Sequence, residues 1–165
     1  GGWNCDRKAT GHASSFGESP VPLRALNVHA RITGRSDTRD AVVRAAELFL
    51  EHRLFRRLSN ASVIDPSFLQ LHFPCYWHYD ILMALTVLAE AEMLGDERCV
   101  EALEVLESKQ LPDGGFPAEA KFYRVSASTN ANGRSLVRWG PTSRKQSNEW
   151  VSCAALSVLT AAGRR

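Results

Sequence analysis

Apolar and polar residues follow one another along this chain with a period close to that of the α-helix. Five stretches repeat apolar residues every three or four positions, which predicts five helices. The predicted helices run from about Pro20 to Ile32, from a cap at Asp37 or Thr38 through Phe49, from about Trp77 to Leu94, from a cap at Asp96 to a stop at Lys109–Phe116, and from about Asn148 to Ala162.

These predicted helices are of two kinds. The first, third and fifth are apolar almost all round, whereas the second and fourth carry a single apolar stripe. A helix that is apolar on all sides has to be enclosed, so we expect an inner layer of odd-numbered helices covered by an outer layer of even-numbered ones. Ala25-Leu26, Ala84-Leu85 and Ala155-Leu156 occupy matching places in the inner helices, which favours a repeat.

The segment Lys109–Phe116 ends one helix and turns towards the next. Its proline and paired glycines prevent the helix from continuing, and Gln110 is placed to hydrogen-bond the exposed backbone of the loop. Phe116 is expected to fold back onto the helix end. The chain begins with Gly1-Gly2-Trp3, which looks like the end of a second such segment.

The connections between the helices carry turn signals. Residues 59–74 are predicted to form a connection with one short turn around Ser67–Leu71. Near residues 121–139, alternating apolar and polar residues flank Asn132-Gly133. Such alternation around an Asn-Gly turn predicts a small β-hairpin.

The composition excludes some classes of protein but does not identify a function. The chain has 165 residues, 44% of them hydrophobic, which is enough for the core of one domain. Its formal charge of +2 favours neither nucleic acid nor an acidic partner. Apolar runs are too short to span a bilayer, and Cys5, Cys75, Cys99 and Cys153 are widely scattered. We therefore expect a soluble, cytoplasmic protein with free thiols.

Helix pairs in two layers, together with Gln110 and the following Gly114-x-Phe116, resemble the α/α-toroids of the terpene cyclase and protein prenyltransferase superfamily, including the squalene cyclases. The family motif ends in tryptophan, and Phe116 stands there in this chain. The resemblance implies an all-α fold of helical-hairpin repeats. Five helices are too few for a closed toroid, so residues 1–165 are expected to form a single partial toroid, either the C-terminal part of a longer protein or one partner in a homo-oligomer.

The resemblance also implies a site for an apolar, isoprenoid-like ligand between the inner helices. In the cyclases of that family, one inner helix carries the catalytic aspartate. Trp150–Leu156 resembles that helix, but it contains no aspartate. If the chain is an enzyme, Asp80 or Glu149 would donate a proton, assisted by His78. The structural alternatives are that Asp80 caps the third helix and that Glu149 is a solvated first-turn residue. The residues proposed to contact ligand are Trp77, Tyr79, Trp150 and Ser152.

Zinc is the one cofactor that the resemblance suggests. Prenyltransferases hold it with aspartate, cysteine and histidine, and Cys5, Cys75 and His78 would offer similar ligands if their two loops meet. The family's aspartate-x-cysteine pair is missing, and buried structural thiols are the alternative.

Two other classes of function remain open. The first is a non-catalytic helical-repeat module whose inner face binds a protein or a second copy of the chain. The second is a carbohydrate-active α/α-barrel, in which Asp80 and Glu149 would be paired carboxylates.

Overall fold

The computed structural model describes residues 2–5, 13–128 and 133–165. Most of the regular structure in these residues is helical, as predicted. The α-helices are α1 (Pro20–Thr33), α2 (Ser36–Glu51), α3 (Ile81–Glu90), α4 (Val100–Glu107) and α5 (Glu149–Ala161), with 3₁₀-helices at Pro66–Leu69 and Glu97–Cys99 and short strands β1 (Arg124–Val125) and β2 (Arg134–Ser135).

Helix α3 lies at the centre of the fold. It contacts α1 and α5, so the three odd-numbered helices are neighbours, while α2 packs on α1 and α4 packs on both α3 and α5. Helix α3 is enclosed as predicted, with six of its ten residues buried. The prediction is wrong for α1, in which only four of fourteen residues are buried and Val28 and Ile32 are exposed. The toroid itself stays a prediction. Within the described part of the chain, no helix combines the length and apolar character that a membrane crossing needs.

The predicted ends of α1 are confirmed, and the predicted cap of α2 at Asp37 or Thr38 is two or three residues too late, since the N-cap is Arg35. Helix α1 has proline in its first turn and ends at Gly34, whose φ of 67° is left-handed and whose N–H donates to the Ala30 carbonyl. Helix α2 begins at Ser36. Asp37 lies inside the first turn, where it accepts a 2.7 Å hydrogen bond from the Thr38 N–H and pairs with the side chain of Arg35.

The third helix is shorter than predicted. It was expected from Trp77, but α3 begins at Ile81, because Asp80 is its N-cap and accepts a 2.8 Å hydrogen bond from the Met83 N–H. The backbone at Asp80 is extended, with φ of −140° and ψ of 169°, so residues 77–80 are not part of the helix. His78 therefore lies in a loop before the helix, and the prediction that it begins an inner helix is wrong.

The helix stop at Lys109–Phe116 has the predicted geometry. The Gln110 side chain donates a 2.9 Å hydrogen bond to the Gly114 carbonyl, and Phe116 is fully buried. Gly115 has no room for a side chain, because a Cβ there would lie 2.2 Å from Ser147 Oγ. Of the similar segment at the start of the chain, Gly1 lies outside the described residues and Trp3 packs against the core.

The predicted hairpin is wrong in its direction. Strands β1 and β2 pair in parallel, with Arg124 opposite Arg134, whereas a hairpin requires antiparallel strands. The predicted Asn132-Gly133 turn lies partly outside the described residues, since Asn132 is not described. After β2, the chain is held by hydrogen bonds at Trp139. Its N–H donates to the Tyr123 hydroxyl, and the Asn148 side chain before α5 donates to its carbonyl.

Candidate functional site

An apolar pocket of about 300 Å³ lies where α1, α3 and α5 meet the loop that precedes α3. Each of the three odd-numbered helices contributes side chains to its wall, and the loop closes one end. Because the pocket lies between the helices that were predicted to form the inner layer, it is the candidate site for an apolar ligand. Its lining consists of Pro20, Val21, Arg24, His72, Phe73, Cys75, Tyr76, Leu82, Met83, Thr86, Val87, Val151 and Ala154.

Aromatic rings support the loop side of the pocket. Phe73 lines it and stacks on Trp150, with ring centroids 5.3 Å apart and planes 7° apart. Trp139 meets Phe73 edge-on at 5.4 Å. Trp150 itself is 44% exposed and is not among the lining residues. Trp150 therefore supports Phe73 from behind, and its contact with a ligand stays a prediction.

A buried histidine–aspartate pair lies at the loop end of the pocket. Asp80 is fully buried, and one of its carboxylate oxygens accepts a 2.9 Å hydrogen bond from the His72 backbone N–H. The same oxygen lies 3.1 Å from Nδ1 of the His72 ring. Nδ1 is also 3.0 Å from the Gln70 carbonyl, so two acceptor oxygens converge on one ring nitrogen.

Cys75 completes a small group of side chains that can bind a metal. Its thiol, the His72 ring and the Asp80 carboxylate each offer one ligand atom, and these atoms lie within 4.8 Å of one another. The thiol is 3.9 Å from the His72 carbonyl. Among the described residues, neither Cys5 nor His78 belongs to such a group. The predicted set of Cys5, Cys75 and His78 is thus not brought together.

The surroundings shift the pKa values of these groups. Burial lowers the pKa of His72, but the hydrogen bond and charge of Asp80 outweigh it, with help from the Gln70 and His78 carbonyls, so that the net shift is upward. Burial, followed by the negative charge of Asp80, raises the pKa of the Cys75 thiol well above its usual range. Both shifts favour the protonated form of the group concerned.

We predict that His72 makes the stability of the protein depend on pH. Its folded-state pKa lies above the ordinary 6.5, so its stabilising contribution is fully present below that value and is lost as the pH rises through the folded-state pKa. Urea unfolding from about pH 6 to about pH 8, in buffer with a chelator, should show the wild type losing stability relative to His72→Gln. His78, whose lowered pKa gives the opposite slope, is present in both proteins. Equal slopes would contradict the prediction.

Three of the residues predicted to form the site line a different cleft. Trp77, His78 and Tyr79 border an open depression of about 320 Å³ beside Phe122. His78 stacks on Phe122 at 3.8 Å, and burial, followed by the charge of His72, lowers its pKa. Tyr79 is buried, donates a 2.6 Å hydrogen bond to the Leu54 carbonyl and has its pKa raised by that burial. Trp77 is 56% exposed.

The remaining predicted site residues have structural or peripheral positions. Glu149 is exposed in the first turn of α5, so it matches the solvated alternative. The Ser152 hydroxyl accepts a 2.7 Å hydrogen bond from the Phe116 N–H and so holds the helix stop against α5. Cys5 is exposed. Asp80 caps α3, and its carboxylate is separated from the pocket, since it is not a lining residue.

Sequence reasoning missed His72, the residue that connects the pocket to the buried pair. A signal was present, because His72 is followed three positions later by Cys75 and eight positions later by Asp80. The spacing alone did not show that the loop folds back to place His72 beside Asp80. A histidine among apolar neighbours is more commonly a hydrogen-bonded core residue.

No family model, curated protein or solved structure matches this chain. Its chemistry is therefore argued from the pocket and the buried group. The apolar walls can hold an apolar molecule, and His72 and Cys75 place an imidazole and a thiol at the same wall.

Proposed function

We propose that the pocket between α1, α3 and α5 binds an apolar small molecule, of the isoprenoid class that the family resemblance implies. The observation that carries the proposal is the pocket itself, whose helical walls are aliphatic and whose loop end is aromatic. Its volume of about 300 Å³ is at the lower end of the range for small-molecule sites. A short or partly inserted hydrocarbon chain fits this size.

Two of the polar groups at the pocket, Arg24 and Thr86, also favour an uncharged ligand. Arg24 at the rim is paired with Glu90, so its charge is already compensated within the protein. The Thr86 hydroxyl donates a 2.7 Å hydrogen bond to the Leu82 carbonyl of its own helix. Because these groups already have partners, the ligand would gain most from apolar contact rather than from a new ion pair.

The proposal concerns binding and assigns no reaction. Asp80 has both carboxylate oxygens engaged, one by Met83 and one by His72, and it is fully buried. Glu149 is exposed and is not among the lining residues. A role for either as proton donor would need a rearrangement that brings it to the pocket, so catalysis stays a prediction of the resemblance.

Blocking the pocket should abolish binding. In native mass spectrometry with farnesol and with squalene, the wild type is expected to retain ligand. Ala154→Phe places a ring in the pocket and should weaken binding at least about 10-fold. Cys153→Phe is the matched control, because the neighbouring residue is exposed on α5 and does not line the pocket. No retention by folded wild type, or equal retention by Ala154→Phe, would overturn the proposal.

One observation favours the non-catalytic interaction module as a second candidate. Val21, Val28 and Ile32 are exposed at helical spacing along one face of α1, and Ile32 is 78% exposed. Such a stripe on a helix at the edge of the inner layer is suited to another protein or a second copy. Light scattering at high protein concentration distinguishes self-association from a strict monomer, which would count against self-assembly.

A further inference from the structure

Three side chains of different chemistry meet at the loop end of the pocket. His72, Cys75 and Asp80 lie within nine consecutive residues, and the loop that contains them folds so that their ligand atoms come within 4.8 Å of one another. Imidazole nitrogen, thiolate sulfur and carboxylate oxygen are the three ligand types that zinc takes in proteins. The group is fully or largely enclosed, with Asp80 and His72 both buried.

We propose that His72, Cys75 and Asp80 bind a single zinc ion. The inference is separate from the identity of the apolar ligand, since it depends on the side chains of one loop and one helix cap. It differs from the sequence prediction in two of three ligands, because His72 and Asp80 replace Cys5 and His78.

The hydrogen bonding of His72 supports a cation at this position. Two acceptor oxygens, from Gln70 and Asp80, lie 3.0 Å and 3.1 Å from Nδ1, which carries at most one proton. On the other side of the ring, Nε2 is buried and has no hydrogen-bond partner among the described residues. A zinc ion between the ring and the carboxylate would take the place of the Nδ1 proton and be bound by both groups, with the remaining ring proton on Nε2.

The distances are close to those of a coordinated ion. With zinc bonds of about 2.0–2.2 Å to nitrogen and oxygen in a tetrahedron, two such ligands are about 3.4 Å apart. The separation of Nδ1 and the Asp80 oxygen is 3.1 Å. With a zinc–sulfur bond of about 2.3 Å, the Cys75 sulfur would have to approach by no more than about 1 Å, which a side-chain rotation can supply.

Three protein ligands leave a fourth position, and the pocket can supply it. His72 and Cys75 both line the pocket, so its interior adjoins the ligand group. A water molecule or a heteroatom of a bound molecule would complete the tetrahedron. Three protein ligands with one open position are the arrangement found in catalytic rather than structural zinc sites.

Zinc titration of the full chain tests the proposal. Metal-free protein, kept reduced, is titrated with zinc alone by calorimetry, and one equivalent should bind. Cys75→Ser should weaken binding at least about 10-fold, which is the loss that even indirect disturbance of metal ligands causes. Cys153→Ser, which removes an exposed thiol outside the group, should bind like wild type. Cys75→Ser is expected to fold, because its thiol makes only a 3.9 Å contact with the His72 carbonyl.

Two further measurements distinguish a loop that binds a metal ion from a loop with a purely structural role. Cobalt in place of zinc should give thiolate-to-metal charge-transfer absorption in wild type and Cys153→Ser, and none in Cys75→Ser. Zinc at about 100 times its Kd should raise the wild-type Tm by about 5–10 °C. The absence of zinc uptake by folded wild type, or equal uptake by Cys75→Ser, would overturn the proposal. These measurements use no apolar ligand, so a failure of the zinc proposal would not count against ligand binding in the pocket.

Discussion

Replacing Asp80 with alanine is expected to lower the free energy of unfolding by about 3–5 kcal/mol, the usual cost of removing one partner of a buried pair. The fully buried carboxylate caps α3 through the Met83 N–H and also accepts from the backbone of His72. Alanine would leave both N–H groups without their acceptor and the His72 ring without its counter-charge. Urea unfolding near neutral pH, with a chelator present, measures the loss.

Asp96→Ala is the matched control for this variant. Asp96 also caps a helical turn, accepting a 2.9 Å hydrogen bond from the Arg98 N–H, but its side chain is partly exposed. Loss of such a cap costs about 1 kcal/mol. If the two alanine variants lost equal stability, the buried pair would not have the importance we give it.

Phe116→Ala is expected to lower the free energy of unfolding by about 3–5 kcal/mol, as for other fully buried aromatic residues. The ring belongs to the core between the helix stop and α5, where the Ser152 hydroxyl fixes its backbone. Neighbouring helices are held by their own packing, so the resulting cavity would collapse only in part. Calorimetry should show a Tm lower by at least about 6 °C.

Trp77→Ala tests whether burial, rather than aromatic size, determines this effect. Trp77 is a larger ring but is more than half exposed, so its removal should cost about 1 kcal/mol or less. A Tm change as large as that of Phe116→Ala would show that the loop before α3 contributes more to the core than its exposure indicates.

The helical layout could be predicted because its signals are local. Apolar periodicity gives the five helices, and the cap at Gly34 follows from the residue type that such positions prefer. Asp96 was predicted to cap the fourth helix, but it caps the 3₁₀ turn Glu97–Cys99 that leads into α4. Gln110 was placed correctly for the same reason, since its partner, Gly114, is only four residues away. The enclosure of α3 follows from its nearly uniform apolar character, since six of its ten residues are buried.

The candidate site could be predicted only in part, because it depends on turns that composition does not reveal. The prediction extended α3 back to Trp77, but the backbone at Asp80 is extended, with φ of −140° and ψ of 169°, so the helix begins at Ile81. Residues 77–80 instead belong to the loop that places His72 next to Asp80. The parallel pairing of β1 and β2 was missed similarly, since the bonds that direct the chain there come from Tyr123 and Asn148.

Asp80 was proposed as an acid or a helix cap, and the hydrogen bond from Met83 shows that it is the cap. A structural role does not remove it from the chemistry of the site. The same carboxylate orients the His72 ring at the pocket wall, so its effect on any bound molecule would be exerted through His72.

Because one carboxylate accepts hydrogen bonds from both His72 and the first turn of α3, the loop that lines the pocket is tied to that helix. The wall is consequently preorganised. An incoming molecule would lose little free energy to the ordering of flexible side chains and backbone, which is otherwise a large part of the cost of association. A pocket built this way can bind a small hydrocarbon with few contacts, because the conformational entropy of its wall is already lost when the protein folds.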